Sequence, residues 1–575
     1  MSTNKHIDKI CVIVVVIAVI ITLLFMNGEK LGLQVIASAD EEEHSDDVLF
    51  TEMDLDCGWD DADITQVTLT GDNATINGSG SCYFANGDLT ITDDGYYEIS
   101  GSLDDGSIII EADKKALICI CLNGVDITAS EDACIRVNQA DKVFLTLADG
   151  SENTLTSGAE YSNEALADGT DGAIFAHDDL TINGSGSLDI TAEYKHGIAA
   201  NDDLVITGGN ISITASADAI HVNDSFRFCD ASLTIDCDDD GIHSDTEIFL
   251  ESGSILITSC YEGIESPLIR MDGGDVSIYP TDDGFNASSG TSSGFGFGGF
   301  EGFGGGDMGG GNMDNRDMGG SMPDMSDGEM PEMPDTADMP EMPDTADMEA
   351  KAETDDADAE TDAAIDEDFG ADLDITPNEN GCIIITGGTL TIINENGNDA
   401  DGLDSNGDIY ITGGEILISV ANSGSNSAID YGSESGGVCE ISGGTVLACG
   451  SSSMAESFDS TSSQPSILYT CSAGTEAGKE VSLQDADGNT ILSYTIPCSF
   501  SSLNISCPQM TVGETYILVI GEDSEEITVS EMSASYGDTA SSMGGGSSNM
   551  EGMGHGGGNG GMGHGDRSDR SDNIN

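Results

Sequence analysis

The chain has 575 residues, 15 basic against 107 acidic side chains and a net charge of -92. That balance excludes nucleic acid as a partner and makes an anionic membrane surface repulsive. It also demands counter-cations, so divalent metal is expected before any motif is read.

In chain order, the first signal is Ile10 to Met26, 17 residues without a charge behind Lys5 and Lys9. At 1.5 Å per residue this is about 26 Å of helix, close to a bilayer core, with the basic flank on the cytoplasmic side. Residues 1–39 therefore read as a signal anchor or as a signal peptide cut after Ala37-Ser38-Ala39. That site lies 13 residues beyond the apolar run, which favours the anchor. Either way the remainder is expected to be extracellular, tethered to the cell membrane or secreted. Residues 40–60 read as an acidic spacer.

From 61 the chain is a series of short alternating strands broken by Gly, Asp and Asn, such as QVTLTG (66–71) and KVFLTLADGSENTLTSG (142–158). Between 171 and 287 the pattern becomes a repeat. DAIHVN, DGIHSD, EGIESP and DGFNAS begin successive units, with Ala219, Gly241, Gly263 and Gly284 in one place at spacings of 22, 22 and 21. Second halves recur as ITGGNISIT, LESGSILIT and RMDGGDVSIY. A period near 22 made of strands, with no helical periodicity, predicts an all-β fold, a parallel β-solenoid occupying 61–287. Residues 288–376 break the rhythm with Gly, Met, Asp and Pro, including PEMPDTADM twice in tandem, a composition that predicts disorder. The repeat resumes in CIIITGGTLTII and DGLDSNGDIYITGGEILIS, so the solenoid is expected to continue over 377–449. A small C-terminal β-subdomain or cap is expected over 450–530 and a disordered Gly/Met/Ser tail over 531–575.

Aligning the units on Ile198, Ile220, Ile242, Ile264, Phe285 and Leu403 predicts an inward column. Two residues before each stand His196, Asp218, Asp240, Glu262, Asp283 and Asp401. Stacked about 4.8 Å apart, adjacent ionised carboxylates repel by about 3 kcal/mol at an effective dielectric of 20. Such a column needs cations or raised pKa values. Hard oxygen donors in this density favour Ca²⁺. The candidate metal ligands are Asp218, Asp240, Glu262, Asp283, Asp401 and Asp404, with Asp224 and Asp245 at the same ends of the units. The glycine column of Gly186, Gly209, Gly253, Gly274, Gly388, Gly414 and Gly444, with Ala231 in register, reads as a corner needing φ > 0. His221 and His243 read as a solvent-facing stacked pair without further ligands at zinc spacing. Cys119 and Cys121, two apart in ALICICL, are expected to pack on the inner face.

Several phrases resemble one known family: KVFLTLADGSENTLTSG, DDLTINGSGSLDIT, HGIAANDDLVITGGNISITA, DGLDSNGDIYITGGEILIS, SAIDYG and SMAESFDSTSSQPSILYT. It is the secreted carbohydrate-binding parallel β-helix family of anaerobic Gram-positive bacteria. The resemblance covers roughly 60–530 apart from the insertion. It implies a right-handed β-helix like that of the pectate lyases, several Ca²⁺ ions, and binding of acidic pectic or cellulosic polysaccharide without catalysis. A surface adhesin or stalk that contacts proteins is an alternative. A calcium-dependent polysaccharide lyase is another, for which Lys195, Arg227 and Arg270 are the few bases in the repeats. The Arg-Ile-Lys element of polysaccharide hydrolases with this fold is absent.

Overall fold

The structure, a computed structural model, describes residues 49–59, 62–289, 375–395, 400–424 and 426–538. The apolar N-terminal segment, most of the insertion and the end of the tail lie outside these residues. Among the described residues no helix is long and apolar enough to cross a membrane.

Strands dominate because the sequence alternates apolar and polar positions with period two, and its turns fall at Gly, Asp and Asn. Each repeat from Gly172 onward contributes three strands. One enters a 12-stranded sheet, and the other two enter separate rows of a 25-stranded sheet. Every strand pairs in parallel with its counterpart one repeat later. His196–Ala200 pairs with Ile220–Val222, Leu204–Ile206 with Ser225–Phe228, and Asn210–Ala215 with Ser232–Cys237. The predicted inward column is a continuous register: Ile198, Ile220, Ile242, Ile264, Phe285, Leu403 and then Ile429. All are buried within one hydrophobic cluster that runs from Val67 to Phe458.

The register passes across the insertion without a slip. Phe285 pairs with Leu403 and Leu268–Met271 with Cys382–Ile385. The chain leaves and returns at one place, since Ser289 N–H donates to the Asn380 carbonyl at 3.0 Å. Replacing residues 290–374 by a Gly/Ser linker of about ten residues is therefore expected to leave the fold intact. Loop-closure entropy alone would then stabilise it by about 2 kcal/mol. A chemical-denaturation midpoint that falls on excision would contradict this.

Three expectations are corrected. Cys119 and Cys121 do not line the interior; Ile118, Ile120 and Leu122 do, and Cys119 packs outside with Cys57 and Phe144. Both alternating sets in ALICICL are apolar, and the larger side chains take the core. Gly209, Gly253 and Gly274 have φ of 95°, 89° and 83°, as the corner requires, but Gly186 and Ala231 do not lie in that region. There the left-handed residue falls earlier, at Gly184 and at Asp230. Finally, the tail expected to be disordered from 531 supplies a strand, Ser533–Gly537, parallel to Ser466–Thr475.

Part of the stretch read as an acidic spacer is also ordered. Glu52–Leu55 is a single helical turn closed by a Thr51/Asp54 capping box. Asp54 is buried and meets Lys142 Nζ at 2.9 Å and Thr181 Oγ1 at 2.6 Å. Burial works against its ionisation, but the Lys142 charge and these hydrogen bonds leave its pKa below the usual value. Trp59 donates its indole N–H to Thr146 Oγ1 at 3.1 Å. At the other end of the array Thr445–Gly450 pairs antiparallel with Phe500–Ser506, which also pairs antiparallel with Ser466–Thr475. A four-stranded antiparallel sheet of residues 479–528 follows, and its apolar cluster is shared with Leu447, Cys449, Ile467 and Leu503 of the strands before it.

Candidate metal-binding double ladder

The repeat unit that positions the site is four residues long: a polar residue, a small residue, the inward apolar residue and a second residue that is polar in every unit after the first. It reads HGIA, DAIH, DGIH, EGIE, DGFN, DGLD and SAID, beginning at His196, Asp218, Asp240, Glu262, Asp283, Asp401 and Ser427. The first position of each unit forms the expected column. The fourth forms another, in which Ala199, His221, His243, Glu265, Asn286, Asp404 and Asp430 are in register. The two columns run side by side along the 12-stranded sheet. Small residues separate them because the chain turns tightly there; a Cβ added at Gly263 would lie 2.3 Å from the Gly284 carbonyl oxygen.

The first column is held by backbone donors as well as by charge. Asp218 Oδ1 accepts from Asp240 N–H at 3.2 Å, and Asp240 Oδ1 accepts from Glu262 N–H at 3.3 Å. Asp283 Oδ1 accepts from Asp401 N–H at 2.6 Å, and Asp401 Oδ1 accepts from Ser427 N–H. These four carboxylates are thus anchored to the next repeat through one oxygen, while Glu262 accepts instead from the Asn286 side-chain amide at 2.8 Å.

First-column carboxylates gather into compact groups, three with members of the second column and two with Asp239 or Asp282. In each group one donor atom per residue lies within 4.8 Å of the others: His196–Asp218–His221, Asp240–His243–Glu265, Asp218–Asp239–Asp240, Glu262–Asp282–Asp283 and Asp401–Asp404–Asp430. Six of the eight candidate ligands fall in these groups. Asp245 stands at the margin, 3.1 Å from His243 Nε2. Asp224 is exposed and enters none of them. The residues added by the structure are His196, His221, His243, Asp239, Glu265, Asp282 and Asp430. For His221, His243 and Glu265 the signal was in the sequence, three residues after an acid of the first column, whereas Asp430 follows Ser427. The reading of His221 and His243 as solvent-facing is corrected too, since both are half-buried and bonded to carboxylates.

Electrostatics divide the double ladder. At the all-oxygen end, burial first and then like charge raise the carboxyl pKa values. Glu262 is pushed up to about 8, with Glu265 and Asp240 adding to the burial effect. Asp283 is pushed up to about 10, with Asp404 and Asp401 adding. Asp240, beside His243 where the two ends meet, is also raised, to about 7, mainly by burial. At the imidazole end the direction reverses. Burial opposes ionisation of Asp218, but His196 and His221 hold it well below the carboxylate range. Burial opposes charging of His243, yet Asp240, Asp245 and Glu265 push it up to about 12.

Comparisons with known proteins bear on this region. A family model described as carbohydrate-binding domain-containing protein matches residues 85–300, which include five of the seven units of the double ladder. A carbohydrate-binding domain-containing protein of Acetivibrio thermocellus is 40% identical over 129 residues, 22% of this chain and 45% of that protein. The chain thus spans just under half the length of that curated relative. A solved gadolinium derivative of a polysaccharide lyase-like protein from C. thermocellum is 28% identical. The match covers 38% of this chain and 91% of that one with a TM-score of 0.32, too low to carry a structural argument.

Proposed function

We propose that this chain is an extracellular, non-catalytic polysaccharide-binding protein whose three ladders wind as a right-handed parallel β-helix. In this reading Ca²⁺ on its carboxylate groups bridges it to an acidic glycan. The observation that carries the reading is the oxygen-only half of the double ladder. Glu262, Asp282, Asp283, Asp401, Asp404 and Asp430 offer hard donors in two groups along one edge. Calcium takes six to eight oxygens, more than either group supplies, so the remaining places are available to water and to uronate carboxylates. Without the cation, a chain of net charge -92 and an acidic glycan repel each other. The carbohydrate-binding description of the matching family model and of the A. thermocellus relative supports the same partner class.

Three basic residues considered for lyase chemistry are committed to ion pairs. Lys195 meets Asp171 at 3.0 Å, Arg227 meets Asp203 and Glu247 at 3.4 and 3.6 Å, and Arg270 meets Asp272 at 2.9 Å. This favours binding over elimination. Binding to immobilised polygalacturonate is expected to disappear in EDTA and to return with excess Ca²⁺. Retention that is unchanged by EDTA would defeat the bridging reading, and release of unsaturated, ultraviolet-absorbing products would defeat the non-catalytic one.

A further inference from the structure

The imidazole end of the double ladder offers a donor set unlike the rest. His196 is only 8% exposed, yet its Nδ1 makes no hydrogen bond with any described residue. That atom stands 3.2 Å from Asp218 Oδ2, out of hydrogen-bonding alignment. The same Oδ2 contacts His221 Nδ1 at 2.8 Å. Two ring nitrogens therefore converge on one carboxylate oxygen, and a buried ring nitrogen left in this way is costly. On the far side of the ring, His196 Nε2 faces Asp171 Oδ2 at 3.8 Å, and Lys195 Nζ holds that carboxylate at 3.0 Å. With a metal on Nδ1 the ring carries its proton on Nε2, and Asp171 is the carboxylate placed on that side to receive it.

We propose that His196 Nδ1, Asp218 Oδ2 and His221 Nδ1 bind a single Zn²⁺ ion, at a site that shares no residue with the Glu262–Asp282–Asp283 and Asp401–Asp404–Asp430 groups assigned above to Ca²⁺. Imidazole nitrogen suits zinc, whereas Ca²⁺ needs more oxygens than this end of the ladder presents. Zinc bonds of about 2.0–2.1 Å in a tetrahedron separate neighbouring donors by about 3.3 Å. The observed 2.8 and 3.2 Å require an opening of only a few tenths of an ångström. The His196 and His221 rings stack with centroids 4.5 Å apart and planes 21° apart. Two neutral rings sharing one cation suit this arrangement better than two stacked imidazoliums. The fourth ligand is water, on the side where the His221 side chain is 29% exposed. His243 makes the contrast: it stacks on His221 at 4.8 Å, but both its nitrogens are engaged, by Glu265 at 2.8 Å and Asp245 at 3.1 Å.

The test titrates the full chain with Zn²⁺, and with Co²⁺ as a spectroscopic stand-in, in the absence of glycan. One equivalent is expected to bind at micromolar concentration, with the visible absorption of four-coordinate Co²⁺. His196→Ala and His221→Ala are each expected to weaken binding at least about a hundredfold, while His243→Ala retains it. Uptake unaffected by the double substitution, absence of uptake, or displacement by millimolar Ca²⁺ would each overturn the proposal. Because His196 is buried, a second measurement uses the unaltered chain. Zn²⁺ is expected to protect His196 and His221 from diethyl pyrocarbonate, read by peptide mass spectrometry; equal modification with and without Zn²⁺ would overturn the site. Neither measurement involves polysaccharide, so their outcome and that of the calcium-bridging reading are independent.

Discussion

Stripped of divalent cations, the protein is expected to lose stability as the pH rises from about 5 to about 9. The cause is the buried carboxyl column. Asp240, Glu262 and Asp283 have folded-state pKa values of about 7, about 8 and about 10, all above their ordinary values. Between the ordinary and the raised value the folded chain holds a proton that the unfolded chain has released. The stabilisation is complete below about pH 4 and is lost as the pH climbs through each folded value. Asp218 and Glu265 are shifted the other way, so their contribution is present above the ordinary carboxylate range and lost only in acid. On the proposal that Ca²⁺ occupies these carboxylates it replaces the protons, so its stabilising effect should grow with pH, and binding should release protons in proportion. Thermal melting in EDTA and in Ca²⁺ across this range checks both statements, and a melting temperature in EDTA that is flat with pH would sink the account. General self-repulsion of the acidic chain has the same sign. Asp283→Asn separates the two, because the amide still accepts from Asp401 N–H but cannot ionise. This variant should show a shallower pH slope in EDTA and a smaller gain from Ca²⁺, whereas global repulsion would leave the slope nearly unchanged.

Phe285→Ala is expected to cost about 3–5 kcal/mol. Phe285 is fully buried in the inward column, between Ile264 and Leu403. It is also the last inward residue of that column before the insertion. Neighbouring repeats stabilise one another only through shared faces, so a cavity here weakens the coupling between the repeats before 289 and those after 380. Denaturant unfolding should move to lower midpoint and separate into two transitions, the first by loss of amplitude from one side of the junction. Tyr279→Ala, at a position 42% exposed, serves as the control and should change stability by no more than about 0.5 kcal/mol. A loss below about 1 kcal/mol for the Phe285 variant would mean that the column does not carry the junction.

Much of this was legible in the sequence, because a parallel array writes its register as a period. The alignment from Ile198 to Leu403, including the continuation beyond the insertion, follows from counting 21 or 22 residues and asking where the phrase resumes. The first acidic column follows from the same count. The second column was harder to see because its chemistry changes along the array: His221 and His243 are followed by Glu265, Asn286 and Asp404 in the same place. Only spatial adjacency shows that His221 and His196 converge on Asp218. Cys119 was misplaced because alternation marks two faces without saying which is inner when both are apolar. The docking of Asp54 on Lys142 and Thr181 joins residues 88 and 127 positions apart, beyond the reach of any local pattern.

The antiparallel pairing of Thr445–Gly450 with Phe500–Ser506 also has a consequence for solubility. A stack of parallel strands has no natural length, since its last rung presents the same row of amide and carbonyl groups as every rung beneath it. Left bare, that edge would template a second molecule and then a third, building a fibre. A strand running in the opposite direction satisfies the row and offers a different pattern beyond it. The C-terminal residues therefore act as a chain terminator for this row, and a truncation before Phe500 should be more prone to end-to-end self-association than the intact protein.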